Sequence, residues 1–545
     1  MSRRHIFDVL VLGAGAAGCS AARAIALHNP KATVGLIEQG SRHSPPLAVR
    51  VPLFSPLIAN SRGTRSFLRT YRGVVEHSIG GRQLQYVKGC GLGGSTLCND
   101  MKYLRGTTAD FAAWGHPEWT MERLLPFFIS LERNSRNTSR AVHGDSGPLP
   151  VTDPPRTNVS LELNIRWFEA CEMAGIGQTG DFNAGEADGF STFQSHIDKG
   201  VRVDVFDALL QGERHLLSNL EVMCDTRARR LLFDDGRRVT GVEVCRDNDS
   251  MILHAGRVVV CLGALESPAL LQRSGVCLRG AVADVPGVGQ NLIQSSSATV
   301  VFRIARGGNL RSKSLSWTNA PYLLQQWREY NEDRSGIFAS LAEGGAFVRS
   351  TPSTEHPDIS LTFYATPNVR WCGWRPFDGF SVRVSHHYPS SRGEVVVVGG
   401  GGDNLCIKSR MFTSRHDVEC MDECLRWIGS ICYGNERRDI GDVVREGTSP
   451  FTSLGAVLHL PERGISTQHD LATFLAQHAE STGELFGTCA LGNVVDGALR
   501  VHGVSGVHVA DASVVPAPTC GTASVIGAAV GSRIALLLEC PNGSD

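Results

Sequence analysis

The chain has 545 residues, more than one hydrophobic core usually supports, so we expect two domains. Its 53 Lys and Arg residues balance 54 Asp and Glu residues, which leaves a net charge of −1 and no basic excess to bind nucleic acid. The 16 cysteines are scattered, which favours reduced thiols over a disulfide framework. Cys420 and Cys424 form the most notable close pair, and because no second pair accompanies them we predict no metal site.

The beginning of the chain and its hydropathy bear on location. Only Met-Ser-Arg-Arg-His precedes the first predicted strand, which is too short for a secretory signal. No apolar run is long enough to cross a bilayer. We therefore predict an intracellular protein, mitochondrial or cytoplasmic and not secreted, without a membrane span.

The first 38 residues predict a dinucleotide-binding βαβ unit. A strand at 8–12 leads into Gly13-Ala-Gly15-Ala-Ala-Gly18, a helix follows at 20–27, and a second strand at 33–37 ends at Glu38. The first glycine permits the tight turn, the second lets a pyrophosphate approach the backbone, and the third lets the helix lie close to the strand. The helix N-terminus suits phosphates, and Glu38 suits ribose hydroxyls. The predicted cofactor contacts of this unit are Gly13, Gly15, Ala16, Ala17, Gly18 and Glu38.

A second glycine-rich segment extends from Lys88 to Gly106. Small residues dominate between Gly89 and Thr96, so the backbone can approach a large flat ligand, and its N–H groups suit a flavin ring or phosphates. A strand at 257–262 then leads into another strand-to-helix turn at Gly263.

These segments resemble, in their order, the glucose–methanol–choline (GMC) oxidoreductases, which include choline dehydrogenase- and glucose oxidase-like flavoproteins. Residues 91–97 with Asn99 resemble the first family signature, and residues 263–275 resemble the second. Further similar blocks lie at 285–292, 487–492 and 509–516. The resemblance implies FAD as the cofactor, with Asp511 holding its ribityl chain. The contacts that it implies are Gly91, Gly93, Gly94, Ser95, Asn99, Gly263 and Asp511.

The resemblance also implies the fold, an α/β architecture in which a three-layer Rossmann-type FAD-binding domain is interleaved with an α+β substrate domain on an antiparallel sheet. We assign residues 1–150, 216–300 and 471–545 to the FAD-binding domain, and 151–215 and 301–470 to the substrate domain. Local patterns agree. The turn Asp234-Asp-Gly-Arg predicts a hairpin, and strands at 358–364, 380–385 and 394–398 are expected in the substrate sheet.

Two catalytic positions depart from the family pattern. Alcohol oxidation by flavin needs a base for the hydroxyl proton. The family supplies a histidine three residues before the Gly-Thr-Cys block and a second His or Asn after the Asp-Ala-Ser-Val block. Here Glu484 and Thr522 occupy these positions. Threonine can donate a hydrogen bond to a substrate oxygen, but it cannot act as a base at neutral pH.

Three interpretations of this departure remain open. In the first, Glu484 replaces the histidine as base, with its pKa set by burial, and the chain oxidises CH–OH groups of an unidentified alcohol by hydride transfer to flavin N5. In the second, the base comes from elsewhere, from His478 or from the pair His386 and His387. In the third, FAD is retained but alcohol oxidation is lost, and the chain either serves as a binding or assembly protein with a protein partner or catalyses a non-oxidative reaction.

Cys98 is a separate candidate. Some relatives bear at this position a histidine that is bonded covalently to the flavin 8-methyl carbon. A thiolate could form a comparable thioether, although a buried structural cysteine is the simpler interpretation.

Overall fold

The structure is a computed structural model that describes residues 6–41, 45–58, 66–136, 139–155, 161–246, 249–304, 312–316, 319–367, 377–399, 404–434 and 449–538. The strands within these ranges are β1 (Ile6–Leu12), β2 (Val34–Ile37), β3 (Leu68–Glu76), β4 (Arg82–Gly89), β5 (Glu132–Asn134), β6 (Leu149–Val151), β7 (Gly189–Thr192), β8 (Ile197–Asp198), β9 (Val201–Arg202), β10 (Leu220–Met223), β11 (Thr226–Phe233), β12 (Val239–Arg246), β13 (Asp249–Val260), β14 (Val276–Cys277), β15 (Ala283–Asp284), β16 (Ile293–Ile304), β17 (Gly344–Val348), β18 (Ile359–Tyr364), β19 (Gly379–His386), β20 (Glu394–Val398), β21 (Asn404–Lys408), β22 (Ala456–Leu460), β23 (Glu480–Phe486) and β24 (Val507–Val509). The α-helices are α1 (Ala16–His28), α2 (Leu47–Arg50), α3 (Ser55–Ile58), α4 (Thr108–Ala112), α5 (Met121–Leu131), α6 (Glu162–Met173), α7 (Gly263–Arg273), α8 (Ala320–Asp333), α9 (Arg415–Tyr433), α10 (Gln468–His478) and α11 (Ala523–Leu537).

The first large sheet contains the amino-terminal βαβ unit. Its strand order is β10-β2-β1-β13-β12-β11, with β24 also paired to β13. β1 is flanked in parallel by β2 and β13, and its residues from Val9 to Leu12 are all buried because parallel strands of this kind are covered on both faces. The predicted hairpin at Asp234 is confirmed, since β11 and β12 pair antiparallel on either side of it. Helix α1 packs against α11, where a Cβ at Gly531 would stand 2.2 Å from the Ala17 carbonyl oxygen.

The second large sheet is antiparallel, with the order β22-β16-β19-β18-β17-β7, and β23 also pairs with β16. The strands predicted at 358–364 and 380–385 are present as β18 and β19. The strand predicted at 394–398 is present as β20, but its assignment to this sheet was wrong. β20 pairs with β21, its neighbour in the chain, in a separate two-stranded sheet whose outer residues are partly exposed.

The chain passes repeatedly between the two large sheets. β7 belongs to the second sheet, β10–β13 to the first, β16–β19 to the second and β24 to the first. Each sheet has its own large cluster of buried apolar side chains. The interleaved fold class predicted from the sequence is therefore confirmed, while the individual domain boundaries stay predictions. Over the described ranges, no helix is both long enough and apolar enough to cross a membrane.

Candidate active site

A large cavity is lined by residues of both large sheets and of the loops that follow their strands. Its empty volume is ≈ 2000 Å³, a figure that includes the open solvent at its mouth. The first sheet contributes the turn after β1 and the residues around Asp511, and the second contributes Ser360, Arg383 and Ser385. The wall of the cavity is therefore built by both large sheets together.

The glycine turn after β1 presents bare backbone to this cavity. Gly13 has φ +96°, and a Cβ there would stand 2.7 Å from the Cys261 carbonyl oxygen. At Gly15 no heavy atom lies within 4 Å of a Cβ position, so a side chain would extend into the cavity that Gly15 lines. A Cβ at Gly18 would stand 1.8 Å from the Gly13 carbonyl oxygen, so glycine lets α1 lie close to the turn. Free N–H groups at the start of α1, where Ala16 and Ala17 also line the cavity, suit a pyrophosphate.

Glu38, directly after β2, connects this turn to the second glycine-rich segment. Its carboxylate accepts hydrogen bonds from the N–H groups of Ala14 (3.0 Å), Gly40 (2.9 Å) and Gly91 (3.1 Å). Burial raises the pKa of the Glu38 carboxyl, and these N–H groups oppose that shift. Glu38 lines the cavity as well, so its carboxylate organises the backbone around the site, and contact with ribose hydroxyls stays a prediction.

The glycines of the second segment bring its backbone against the first turn. Gly91, Gly93 and Gly94 all have positive φ, and a Cβ at Gly94 would stand 2.7 Å from Gly15 Cα. Gly94, Ser95 and Asn99 line the cavity, whereas Gly18, Gly91 and Gly93 are not among its lining residues. The last three therefore shape the backbone behind the cavity wall.

Asp511 joins two loops at the cavity. Its Oδ2 accepts hydrogen bonds from the Gly263 N–H (2.8 Å) and the Ser267 hydroxyl (2.6 Å), and its Oδ1 accepts one from the Ser513 N–H (2.8 Å). Both Asp511 and Gly263 line the cavity. The carboxylate thus holds the start of α7 in place, and a contact with a ribityl chain stays a prediction.

The two substituted catalytic positions, Glu484 on β23 and Thr522 just before α11, both line the cavity. Glu484 Oε2 accepts a hydrogen bond from the Ala523 N–H at 2.6 Å. Burial raises the pKa of Glu484, and the Ala523 N–H, Lys88 and Lys102 oppose that shift. The Thr522 hydroxyl donates to the Leu104 carbonyl oxygen (3.3 Å), so it must rotate before it can donate to a substrate.

Lys102 is a further cavity residue that the sequence analysis missed. Its Nζ donates to Thr362 Oγ1 at 3.0 Å and lies 4.9 Å from the centroid of the Phe193 ring. Burial lowers the pKa of Lys102 to about 7, and the positive charge of Arg383 contributes in the same direction. The amine therefore exchanges its proton near neutral pH.

Arg383 is the second missed cavity residue, and it forms an ion pair with Asp100 (Nη2 to Oδ2, 2.8 Å). A signal for Arg383 exists in the sequence, because this residue stands between Val382 and Val384 in a predicted strand. A single charge in such a run is typical of a residue that faces a polar site. Alternation along the strand turns Ser385 to the same cavity.

The histidines proposed as alternative bases lie in different places. His387 lines the cavity and shares hydrogen bonds with Ser360 Oγ (2.7 Å) and Ser295 Oγ (3.4 Å). Burial lowers the pKa of His387 to about 3, so its ring is neutral. His478 ends α10 and is not among the lining residues, and neither is His386. Cys98 does line the cavity, with its Sγ 3.6 Å from the Ser95 carbonyl oxygen.

Comparison with known proteins decides the family. Residues 7–295 and 389–531 match the two models of the family described as GMC oxidoreductase. The chain belongs to the GMC oxidoreductase family. It is 29% identical over 532 residues to pyridoxine 4-oxidase of Microbacterium luteolum, with 94% of this chain and 96% of that protein covered. It is 30% identical over 563 residues to oxygen-dependent choline dehydrogenase of Burkholderia multivorans (strain ATCC 17616 / 249), with 97% and 93% covered. The crystal structure of pyridoxine 4-oxidase from Mesorbium loti matches with a TM-score of 0.82 and 26% identity over 97% of this chain and 98% of that one.

The family resemblance read from the sequence is therefore confirmed, and FAD is the cofactor of this GMC oxidoreductase. The cavity fits this cofactor, because its wall has bare backbone at Gly15 and open space beside Gly263, where a Cβ would also meet no atom within 4 Å. As a GMC oxidoreductase, the chain is an FAD-dependent oxidoreductase of the alcohol-oxidising type.

Proposed function

We propose that this GMC oxidoreductase oxidises a CH–OH group of a small alcohol, with Glu484 accepting the hydroxyl proton. FAD, when bound, supplies the acceptor for the hydride that leaves the carbinol carbon. The observation that carries this proposal is the position of the Glu484 carboxylate, in the cavity wall and held by the Ala523 N–H. A carboxylate can do the work of the missing histidine when its environment brings its pKa toward neutrality.

The environment of Glu484 supports this role. Oε2 is engaged by Ala523, whereas Oε1 has no hydrogen-bond donor among the described residues and is left to accept a proton. Burial raises the pKa of the carboxyl, which makes it a stronger base than an exposed glutamate. The hydrogen bond from the Ala523 N–H also fixes the Glu484 side chain, so that Oε1 has a defined position.

Lys102 and Thr522 are the proposed partners of this base. The Lys102 amine is close enough to Glu484 for each to act on the other's charge, and its positive form would stabilise a developing alkoxide. If the Thr522 hydroxyl rotated away from the Leu104 carbonyl oxygen, it would donate a hydrogen bond to the same substrate alkoxide oxygen. His387, neutral and bound to two serines, is the weaker candidate for the base.

Retention of the fold without catalysis is the competing interpretation. It draws no support from the relatives described above, which are named as oxidases or a dehydrogenase. The FAD-loaded protein should therefore be mixed without oxygen with a panel of primary alcohols that includes choline and pyridoxine. We expect at least one alcohol to bleach the visible flavin band. A panel that leaves the band of fully loaded protein unchanged would contradict the proposed activity and favour a binding protein.

A further inference from the structure

Three side chains of metal-binding type meet outside the active-site cavity, where α9 packs against the end of β19. They are His386, the last residue of β19, and His416 and Cys420 in the first turns of α9. One ligand atom from each of the three lies within 4.8 Å of the others. None of the three residues lines the active-site cavity.

The helix supplies two of these groups in a fixed arrangement. Residues four apart lie on the same face of an α-helix, so His416 and Cys420 point in one direction. Cys420 Sγ is 3.6 Å from His416 Nε2. With Zn–S of about 2.3 Å and Zn–N of about 2.0–2.1 Å, two ligands of a tetrahedral zinc ion lie roughly 3.5 Å apart. The helical pair already has that separation.

His386 provides an independent observation. Its side chain is fully buried (0% exposed), and neither ring nitrogen has a hydrogen-bond partner within the described ranges. Buried polar atoms in folded proteins are nearly always paired, so an imidazole with both nitrogens unpaired indicates an absent partner. Its ring centroid is 5.9 Å from that of His416, with the two rings close to perpendicular at 80°.

The charges around the cluster favour a cation. Two buried carboxylates, Asp358 and Asp417, act electrostatically on both Cys420 and His386. Each is fixed by backbone N–H groups, Asp358 by Ser350 (2.7 Å) and Asp417 by Ser390 (2.7 Å), so neither is free to turn away. Buried negative charge of this kind is stabilised by a positive ion close by.

We propose that His386, His416 and Cys420 bind a zinc ion, with water as the fourth ligand. One thiolate and two imidazoles are ligands that Zn²⁺ prefers, whereas Mg²⁺ and Ca²⁺ prefer oxygen. His416 is exposed, so an ion can enter the cluster from solvent. The sequence suggested no metal because Cys420 was considered with Cys424, whereas the fold brings it to two histidines instead.

Zinc at this site would connect α9 to the strand that forms the cavity wall. His386 is followed directly by His387, which lines the cavity. The ion would thus hold the back of the substrate sheet in place. Above the dissociation constant, its binding should stabilise the folded protein by an amount that grows with the logarithm of the zinc concentration.

The test uses FAD-loaded protein that has been stripped of metal with a chelator. Zinc chloride is added in competition with a chromophoric chelator, and bound zinc is measured by elemental analysis after gel filtration. We expect about one tight zinc per chain, and at least about 100-fold weaker binding for His416→Gln, since loss of even outer-sphere partners costs 10–100-fold. Cys424→Ala, one turn further along α9, is the matched control and should bind zinc like the wild type.

Two results would overturn the proposal. One is a wild-type protein that takes up no zinc in competition with the chelator. The other is unchanged affinity in both His416→Gln and Cys420→Ser, which would place any bound zinc elsewhere. Because His416 is exposed, its substitution leaves the core intact, and an unchanged flavin spectrum verifies the fold of each variant.

Discussion

Glu484→Gln is the substitution that most directly tests the proposed removal of the substrate's hydroxyl proton. Glutamine has the same length, and its amide oxygen can still accept the Ala523 N–H that Glu484 Oε2 accepts at 2.6 Å. The start of α11 is therefore preserved, and exchange of a charged acceptor for a neutral one should lower the free energy of unfolding by only about 1 kcal/mol. What is lost is the group that we propose takes the proton. General-base catalysis contributes about 10²–10⁴-fold, which corresponds to roughly 2.7–5.5 kcal/mol of the barrier.

The assay is the rate of flavin bleaching after anaerobic mixing with an alcohol that the wild type oxidises. Because Glu484 must be ionised to accept a proton and burial raises its pKa, the wild-type rate should increase with pH through that raised pKa. Glu484→Gln should be slower by the factor above and should lose this pH dependence. Glu480→Gln is the matched control, since Glu480 lies on the same strand but does not line the cavity. Equal rates for Glu484→Gln and the wild type would refute Glu484 as the base and direct attention to Lys102.

Three further changes test other parts of the site. Gly15→Leu should place a side chain where FAD phosphates are expected, so the flavin-to-protein absorbance ratio should fall while the apoprotein keeps its circular dichroism; full flavin content would contradict the proposed contact. Glu38→Gln places an amide group against one of three backbone N–H groups, and the resulting unpaired donor should lower the free energy of unfolding by about 1–3 kcal/mol, which a thermal melt would reveal and an unchanged melting temperature would refute. For Lys102, the folded pKa of about 7 lies below the unfolded value of about 10.4, so between these values the unfolded state binds more protons and stability rises with pH. Lys102→Met should therefore lose stability relative to the wild type as pH rises from about 7 to about 10, and a constant difference in melting temperature would contradict the lowered pKa.

The parts of the fold that the sequence predicts well are those specified by neighbouring residues. The glycine turn, α1 and β2 follow from the spacing of three glycines and one acid, because each of these residues acts on backbone only a few ångströms away. The hairpin around Asp234 is equally local. The sheet to which β20 belongs was predicted incorrectly. An apolar run indicates that a strand forms, but it does not indicate which strand will pair with it.

The candidate site shows the same limit. Alignment placed Glu484 and Thr522 at the active site, and both line the cavity. Their backbone partners, Ala523 and Leu104, depend on how β23 meets α11 and could not be read from the chain. Lys102 acquires its lowered pKa from burial and from Arg383, a residue far away in sequence. Tertiary packing therefore determines the chemistry of residues whose identity the sequence alone provides.

The strand pairings that complete the two sheets have a consequence for biosynthesis. In β24, Val507 pairs with Val258 of β13, and in β23, Phe486 pairs with Ile293 of β16. Each large sheet is therefore incomplete until the last part of the chain has been synthesised. Translation proceeds at roughly 5–20 residues per second, which leaves β13 and β16 without these partners for some tens of seconds. Unpaired strand edges are templates for aggregation. Yield of this enzyme in a foreign host should therefore respond to chaperone supply and growth temperature more strongly than its final stability would suggest.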